Sequence, residues 1–311
     1  MHNEGDAGVR PAPGRTGLPI KNFRPGALQI EQVVFSNLPS PHMDLRRWLD
    51  LASEIDSRIE DDNVLGAVVL HGTDLLPECA LVLELCLKTR KPVVITGSMR
   101  AIGDEGYDGG RNLENALRIC MEMPSGSQIA VTMADEIYPA RHVLKKNSLA
   151  LASMTAYSGL LGRVYSNEVV FLQPPPSAPY YLVNPDSLDK TALPQIALIS
   201  AFPGQDGSIV DLLLKTGIQG LVVEAFGAGN LPVALAKRIK SAIEKGLPVL
   251  ITTRCFEGGV YPIYSYEGGA GEMQKNGALL CGNIPSGKAF LILQIALACN
   301  TSPAKILEFF K

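Results

Sequence analysis

The stretch that decides the fold runs from Val64 to Ser98 and reads VLGAVVLHGTDLLPECALVLELCLKTRKPVVITGS. It begins with a short apolar run and passes through the polar residues HGTD into a longer apolar segment at helical spacing. It ends in a second β-branched run that leads into TGS. A strand, a helix and a strand in that order form the repeating unit of a parallel sheet. The stretch therefore predicts an α/β fold with polar residues at the ends of its strands.

The same alternation continues on both sides of this stretch. Strands are predicted over 29–35, 64–70, 92–96 and 128–133, and helices over 44–58, 76–88 and 112–121. Later in the chain, strands are predicted over 195–200, 220–224 and 248–253, and helices over 208–216 and 232–245.

A proline cluster separates the two halves of this pattern. Residues 173–179 read QPPPSAP, and proline cannot join a central strand because it has no N–H to donate. We therefore predict two doubly wound parallel-sheet domains, a larger N-terminal one over 1–173 and a smaller C-terminal one over 195–311. A proline-rich linker over 174–194 is predicted to join them.

The composition favours a globular protein that acts on a small molecule. The chain has 311 residues, of which 46% are hydrophobic and 19% are charged, so a substantial core can form. The 28 basic and 31 acidic residues give a net charge of −3. Because no long basic run occurs, neither nucleic acid nor an anionic membrane surface is expected as a partner.

The cysteines and histidines point to no metal and no cofactor. The six cysteines lie in or beside apolar segments without a CxxC pair, which is typical of reduced core residues. The four histidines show no metal-ligand spacing.

The sequence shows neither a membrane-spanning segment nor a signal peptide. No stretch of about 18 apolar residues occurs, and the polar N-terminus is unlike a signal peptide. A cytoplasmic protein is predicted, with an upstream signal peptide left open if further residues precede Met1.

Three polar clusters follow predicted strands, at the edge where parallel sheets bind ligands. They are HGTD at 71–74, TGSMR at 96–100 and ADE at 134–136. For each there is a purely structural interpretation, since threonine or aspartate at such a junction often caps the next helix.

Taken together, these clusters resemble the bacterial-type L-asparaginases, which hydrolyse the side-chain amide of asparagine and often of glutamine. HGTDLL resembles the HGTD motif of that family. PVVITGSMRAIGDEGYDGGRNLENALRIC resembles its TG-A/S-MR segment and the following helix, and DEIYPARHVLKKNS its DEI-x-x-AR-x-V-x-K stretch. VVEAFGAGNLP and TTRCFEGG are similar to two turns of the second half. The resemblance extends from about residue 29 to the C-terminus.

The resemblance implies catalytic roles for Thr73, Asp74 and Lys145, which match the family's Thr-Asp-Lys group. A threonine hydroxyl reacts only when a base accepts its proton, and a desolvated lysine can be that base. Asp74 would orient the lysine or bind the substrate's α-ammonium group. Without the surrounding motif, Lys145 would be interpreted as a solvated surface lysine beside Lys146.

Four further residues are implied to bind substrate. Ser40 aligns with a serine that binds the substrate α-carboxylate, and Gly72 belongs to the HGTD motif. Asn230 matches an asparagine that reaches the active site of a neighbouring subunit. Glu267 is assigned a comparable role, as an acidic residue. A homodimer or homotetramer is therefore implied. His71 is expected to support the strand end and not to act as the base.

The sequence departs from the family pattern at its beginning. Family members start with an apolar strand leading into TGGTI, whose first threonine is taken as the nucleophile, and no TGGTI occurs here. MHNEGDAGVRPAPG resembles instead the loop after that motif. Either the true start lies upstream by roughly 10 to 15 residues, one strand plus a turn, or the strand is absent. The first is favoured because an absent inner strand leaves backbone groups unpaired, at about 1–3 kcal/mol each. The chain as written is expected to be weakly active or inactive.

Smaller departures surround the proposed relay, and three other functions stay open. Leu75, Leu144 and Lys146 stand where relatives usually have threonine. The alternatives are a non-catalytic amino-acid-binding paralogue, the asparaginase-like subunit of a transamidosome, and a nicotinamide-dependent dehydrogenase. The dehydrogenase interpretation rests on Gly227-x-Gly229 alone, which lacks the third glycine of the dinucleotide motif.

Overall fold

A computed structural model describes residues 2–3, 9–10, 29–124, 126, 129–175 and 183–310. The chain forms two compact units, Met1–Asp186 and Ser187–Lys311. Their boundary falls inside the segment 174–194 for which a linker is predicted. Most of the opening segment MHNEGDAGVRPAPG lies outside the described residues. Among those that are described, no helix is long and apolar enough to cross a membrane.

In the described residues of the first unit there are three long helices and ten strands. The helices are α1 (Leu45–Ile59), α2 (Leu76–Cys86) and α3 (Gly109–Glu122). The strands are β1 (His2–Asn3), β2 (Val9–Arg10), β3 (Ala67–Leu70), β4 (Val93–Thr96), β5 (Ala130–Met133), β6 (Glu136–Pro139), β7 (Val143–Lys145), β8 (Met154–Ala156), β9 (Gly162–Tyr165) and β10 (Glu168–Phe171).

The described part of the central sheet of this unit has six strands, in the order β10-β9-β6-β5-β4-β3. β3, β4 and β5 are parallel, as predicted, and the two crossover helices α2 and α3 connect them. β6, β9 and β10 are antiparallel, so the sheet is mixed. α3 packs on one face of the sheet through Ala116, Ile119 and Cys120.

A tight turn causes the change from parallel to antiparallel pairing. β5 and β6 form a hairpin in which Met133 pairs with Glu136. The two residues between them, Ala134 and Asp135, have φ values of 50° and 64°. Positive φ at both central residues gives a turn whose twist matches that of a hairpin. Ala134 and Asp135 therefore form a hairpin turn, Glu136 begins β6, and the segment 134–136 does not start a crossover helix.

The prediction of a strand over 29–35 is wrong. These residues carry no regular structure, and the described part of the sheet ends at β3. A strand is stable only when a neighbour pairs its N–H and C=O groups, and no described segment pairs with 29–35. Its apolar side chains are correspondingly exposed, at 41% for Ile30 and 61% for Val34.

α1 and α2 pack against each other and illustrate two kinds of helix. α1 is amphipathic, with buried residues at helical spacing, and it begins where the Asp44 carboxylate accepts a hydrogen bond from the Arg47 N–H. In α2 every residue except Glu78 is buried, as expected for a helix inside a core.

β7 and β8 form a separate antiparallel hairpin in which Lys145 pairs with Met154. This hairpin contacts α2.

The second unit is a four-stranded parallel sheet in the order β11-β12-β13-β14. Helices cover both faces: Leu221 and Val223 pack towards α4 and α5 in one core, whereas Gly220 faces Leu293 of α7. The elements are β11 (Ile196–Ser200), α4 (Ser208–Lys215), β12 (Gly220–Ala225), α5 (Val233–Glu244), β13 (Val249–Thr253), α6 (Ala270–Lys275), β14 (Leu279–Leu280), α7 (Ser286–Ala298) and α8 (Pro303–Ile306).

Candidate active site

Three side chains meet where β3 leads into α2. Lys145, the last residue of β7, donates from Nζ to Thr73 Oγ1 at 2.8 Å and to Asp74 Oδ1 at 2.6 Å. Thr73 is buried, and the Lys145 side chain is only 14% exposed, whereas the Asp74 side chain is 61% exposed. The ammonium group thus lies between a buried hydroxyl and a carboxylate that faces solvent.

The helix-capping interpretation of Thr73 and Asp74 does not describe this junction. The residue at the N-cap of α2 is Leu75, whose side chain makes no capping hydrogen bond. Pro77, near the first position of α2, lacks an N–H, which lowers the number of unpaired donors at this helix end. The hydroxyl and the carboxylate are therefore directed to Lys145 and not to the backbone of α2.

Ser40 lies against the same strand end. It starts a 3₁₀ turn, Ser40–His42, and is buried. A Cβ placed on Gly72 would lie 2.8 Å from both Cβ and Oγ of Ser40, closer than real Cβ atoms approach other atoms. Gly72 is required here because only a residue without a side chain lets Ser40 come this close. The first unit thus brings together Ser40, Gly72, Thr73, Asp74 and Lys145.

The end of β4 supports the floor of this site, a contribution that the sequence interpretation left unassigned. A Cβ on Gly97 would overlap the carbonyl oxygen of His71 and lie 3.2 Å from Cγ2 of Thr73. Asn112 of α3 donates from Nδ2 to the Gly97 carbonyl at 3.0 Å and accepts the Ala134 N–H at 3.1 Å. One amide therefore joins the ends of β4 and β5. The segment DGGRN, which ends in this asparagine, was the sequence signal from which the role of Asn112 could have been predicted.

His71 is held in a neutral form. The indole of Trp48 can only donate, so the 3.1 Å contact to Nε2 makes that nitrogen the acceptor. Nδ1 then carries the proton and donates to the Gly72 carbonyl at 2.8 Å. Burial lowers the pKa of His71, and the hydrogen bond to Gly72 opposes the shift. Both ring nitrogens have partners, so His71 supports the strand end and is not available as a base.

The other two predicted residues lie in the second unit, each with local partners. Asn230 Oδ1 accepts a hydrogen bond from the Ala270 N–H at 3.4 Å, at the start of α6. Glu267 forms an ion pair with Lys237 at 3.3 Å, and both side chains are more than half exposed. Their predicted roles at an active site stay predictions. Among the residues that the structure describes, no group of three or more histidine, cysteine or acidic side chains could hold a metal ion.

The fold and the cluster define a class of protein. It is a two-unit α/β protein in which a hydroxyl, an amine and a carboxylate meet at the carboxyl end of a parallel strand, the groups that proton relay in acyl transfer requires. Comparison with known proteins makes the assignment specific. A family model described as the N-terminal part of asparaginase matches residues 17–177, and a glutaminase/asparaginase C-terminal domain matches residues 195–310. The chain belongs to the asparaginase family.

Individual relatives agree with this assignment. The chain is 31% identical over 277 residues to an L-asparaginase of Bacillus licheniformis, covering 88% of this chain and 84% of the relative. It is 30% identical to a protein of Haemophilus influenzae named probable L-asparaginase periplasmic, covering 90% and 78%. A solved structure, the probable cytoplasmic L-asparaginase from Campylobacter jejuni, is similar with a TM-score of 0.80 at 28% identity, covering 89% and 86%.

Proposed function

We propose that this asparaginase-family amidohydrolase converts L-asparagine to L-aspartate and ammonia through the Thr73, Lys145 and Asp74 cluster. The observation that carries the proposal is the position of Lys145 Nζ, within hydrogen-bond distance of Thr73 Oγ1 and Asp74 Oδ1 at once. The same geometry suits glutamine, whose side chain ends in the same amide.

The proposed chemistry is a proton relay. In its neutral form Lys145 accepts the Thr73 proton, and the pair passes a proton to the nitrogen of the scissile amide as the C–N bond breaks and ammonia leaves. A hydroxyl attacks the carbonyl carbon to form an ester, and its proton passes to the Thr73–Lys145 relay in place of the one given to the departing ammonia. Water then attacks the ester and gives one proton, through the relay, to the released hydroxyl oxygen, so that aspartate leaves and the attacking hydroxyl is restored. The family assigns the attacking hydroxyl to TGGTI, which the 311 residues do not contain.

Substrate recognition is proposed to use the rest of the cluster. The Ser40 hydroxyl beside Gly72 would donate to the α-carboxylate of asparagine. Asp74, whose second carboxylate oxygen is not used by Lys145 and whose side chain faces solvent, would bind the α-ammonium group. These two contacts would recognise an amino acid with both of its charged groups free.

We further propose a homodimer or homotetramer in the cytoplasm. The oligomer is supported by the roles that the family assigns to Asn230 and Glu267, which lie in the second unit. The cytoplasm is supported by the six cysteines, all of which are free thiols and four of which are buried. The names of similar proteins include a cytoplasmic and a periplasmic form.

Two measurements on the purified chain test the proposed function. Ammonia release from L-asparagine, L-glutamine and L-glutamate is followed at high protein concentration, and L-aspartate binding is measured by calorimetry. We expect aspartate to bind and asparagine to be hydrolysed above its spontaneous rate, with no release from glutamate. Binding without hydrolysis would favour the amino-acid-binding paralogue, in which the recognition residues work without a nucleophile. If the chain neither binds L-aspartate nor hydrolyses L-asparagine, the proposal is contradicted.

A further inference from the structure

A buried ion pair joins the two segments that carry the proposed catalytic groups. Arg141 Nε lies 3.5 Å from Glu84 Oε1, and the two side chains are 5% and 3% exposed. Glu84 is in the last turn of α2, the helix that begins beside Asp74. Arg141 comes just before β7, the strand that ends at Lys145. Removing two charges from water is unfavourable enough that apolar residues often stabilise a core equally well. A contribution to stability is therefore a weak explanation for the presence of this buried ion pair.

The neighbourhood of the pair includes the second strand of the hairpin. Tyr157 directly follows β8, and burial raises the pKa of its hydroxyl, on which the charges of Arg141 and Glu84 also act. His142 stacks against Tyr157 with ring centroids 4.6 Å apart, and its Nδ1 lies 2.6 Å from Ser158 Oγ. The start of β7 and the end of β8 are thus held together at the place where Arg141 meets α2.

We propose that the Glu84–Arg141 ion pair is a positioning device, which fixes the hairpin along α2 so that Lys145 stays within reach of Thr73 and Asp74. An apolar contact between strand and helix permits small sliding motions, whereas a buried charge pair resists them because separating two opposite charges inside the core loses the attraction that offsets their removal from water. The precision matters, since a displacement of about 1 Å at a reacting group can cost on the order of 100-fold in rate.

The exposure of the Lys145 amine gives a test that needs no catalysis. Trace acetylation by acetic anhydride is measured at Lys145 relative to its exposed neighbour Lys146, which serves as an internal standard. The variants are Glu84→Gln and the double variant Glu84→Met with Arg141→Met, which removes both buried charges at similar volume. We expect the Lys145 to Lys146 labelling ratio to rise several-fold in both variants.

A destabilised control separates positioning from general loss of stability. Ile119→Ala opens a cavity in the core cluster of α3, which includes neither Glu84 nor Arg141, and should leave the labelling ratio as in the wild type. An unchanged ratio in the folded double variant would overturn the proposal. If Glu84→Gln fails to fold, the double variant still decides, because apolar replacement of a buried pair is often neutral or stabilising.

The kinetic part of the inference rests on the proposed function. With L-asparagine as substrate, the double variant should lose about 10- to 100-fold in kcat, the effect of a small misplacement, with KM changed much less. Glu84→Asp, which keeps the negative charge, should lose less of the kcat than the double variant does. If the wild type releases no ammonia, the proposed function fails and the labelling ratio still tests the positioning. If the wild type is active and the folded double variant has the same kcat, the positioning alone is overturned.

Discussion

Lys145 Nζ lies 2.8 Å from Thr73 Oγ1 although 72 positions separate the two residues in the chain. The contact joins the end of a hairpin strand to the end of a parallel sheet strand. Because the Lys145 side chain is largely buried and Asp74 largely exposed, the ion pair between them adds little to stability. The contact is therefore better explained by chemistry at Thr73 than by stabilisation of the fold.

Replacing Lys145 should remove activity and preserve the fold. Lys145→Met keeps most of the apolar stem and deletes the amine, so we expect asparagine hydrolysis to fall by about 10²- to 10⁴-fold, the usual contribution of a proton-transfer group. The midpoint of thermal unfolding should change little. The matched control is Lys146→Met, which removes an exposed amine at the next position. Equal losses in the two variants would contradict the assignment.

Substitution of Gly72 should impair binding of the amino acid. In Gly72→Ala the new methyl group would lie 2.8 Å from the Ser40 side chain, and crowding of this kind costs about 1–3 kcal/mol. We expect weaker L-aspartate binding in calorimetry together with a lower unfolding free energy. Ser40→Ala is the companion variant, since it removes the hydroxyl without crowding and should weaken binding at nearly unchanged stability. Wild-type affinity in both variants would remove Ser40 and Gly72 from the binding site.

The His71 and Trp48 contact predicts a loss of stability in acid. Burial lowers the His71 pKa below its usual value of 6.5, so between the two values the unfolded chain binds more protons than the folded one. The contribution of this group to the unfolding free energy is therefore present above pH 6.5 and is lost as the pH falls through the lowered pKa. Urea unfolding at a series of pH values, followed by the fluorescence of Trp48, the single tryptophan, measures the effect.

A variant of Trp48 provides the control for this acid dependence. In Trp48→Phe the Nε2 atom of His71 loses its donor and becomes free to take up a proton, so the His71 pKa should move upwards. Nuclear magnetic resonance titration of the imidazole follows this directly. A His71 pKa at or above 6.5 in the wild type would contradict the account.

The β5–β6 turn should tolerate glycine better than alanine. Ala134 has a φ of 50°, a left-handed conformation that costs a residue with a Cβ about 1–2 kcal/mol. Glycine removes that strain at an entropic cost of about 0.5–1 kcal/mol, so Ala134→Gly should stabilise the protein slightly. Ala130→Gly, in the buried strand before the turn, should be destabilising. A loss of unfolding free energy in Ala134→Gly would show that the turn is not strained.

Much of the fold follows from local patterns in the sequence. The predicted helix 44–58 differs from the observed α1 by one residue at each end, and 208–216 differs from α4 by one residue at its C-terminal end. The agreement is close because amphipathic spacing and capping are local properties. The prediction at 29–35 failed since alternation cannot tell whether a neighbouring strand exists. The β5–β6 hairpin was missed because Ala134-Asp135 lacks the Asn-Gly or Asp-Gly signal of such turns.

The candidate site, too, was predictable only in part from local sequence patterns. Thr73 and Asp74 are recognisable from the sequence because they follow a buried strand, whereas Lys145 could be connected to them only through the family resemblance. A hairpin strand brings it there, and no local pattern encodes that long-range contact. Trp48 beside His71 and the Glu84–Arg141 pair escaped detection for the same reason, since each joins residues far apart in the chain.

The most direct test of the central claim compares ammonia release from L-asparagine by the wild-type chain and by Lys145→Met, at equal concentrations of folded protein. The relay of Thr73, Lys145 and Asp74 predicts measurable release by the wild type and only the spontaneous rate in the variant. Equal release by the two proteins would contradict the relay, and the absence of any release by the wild type would contradict asparagine hydrolysis by this chain.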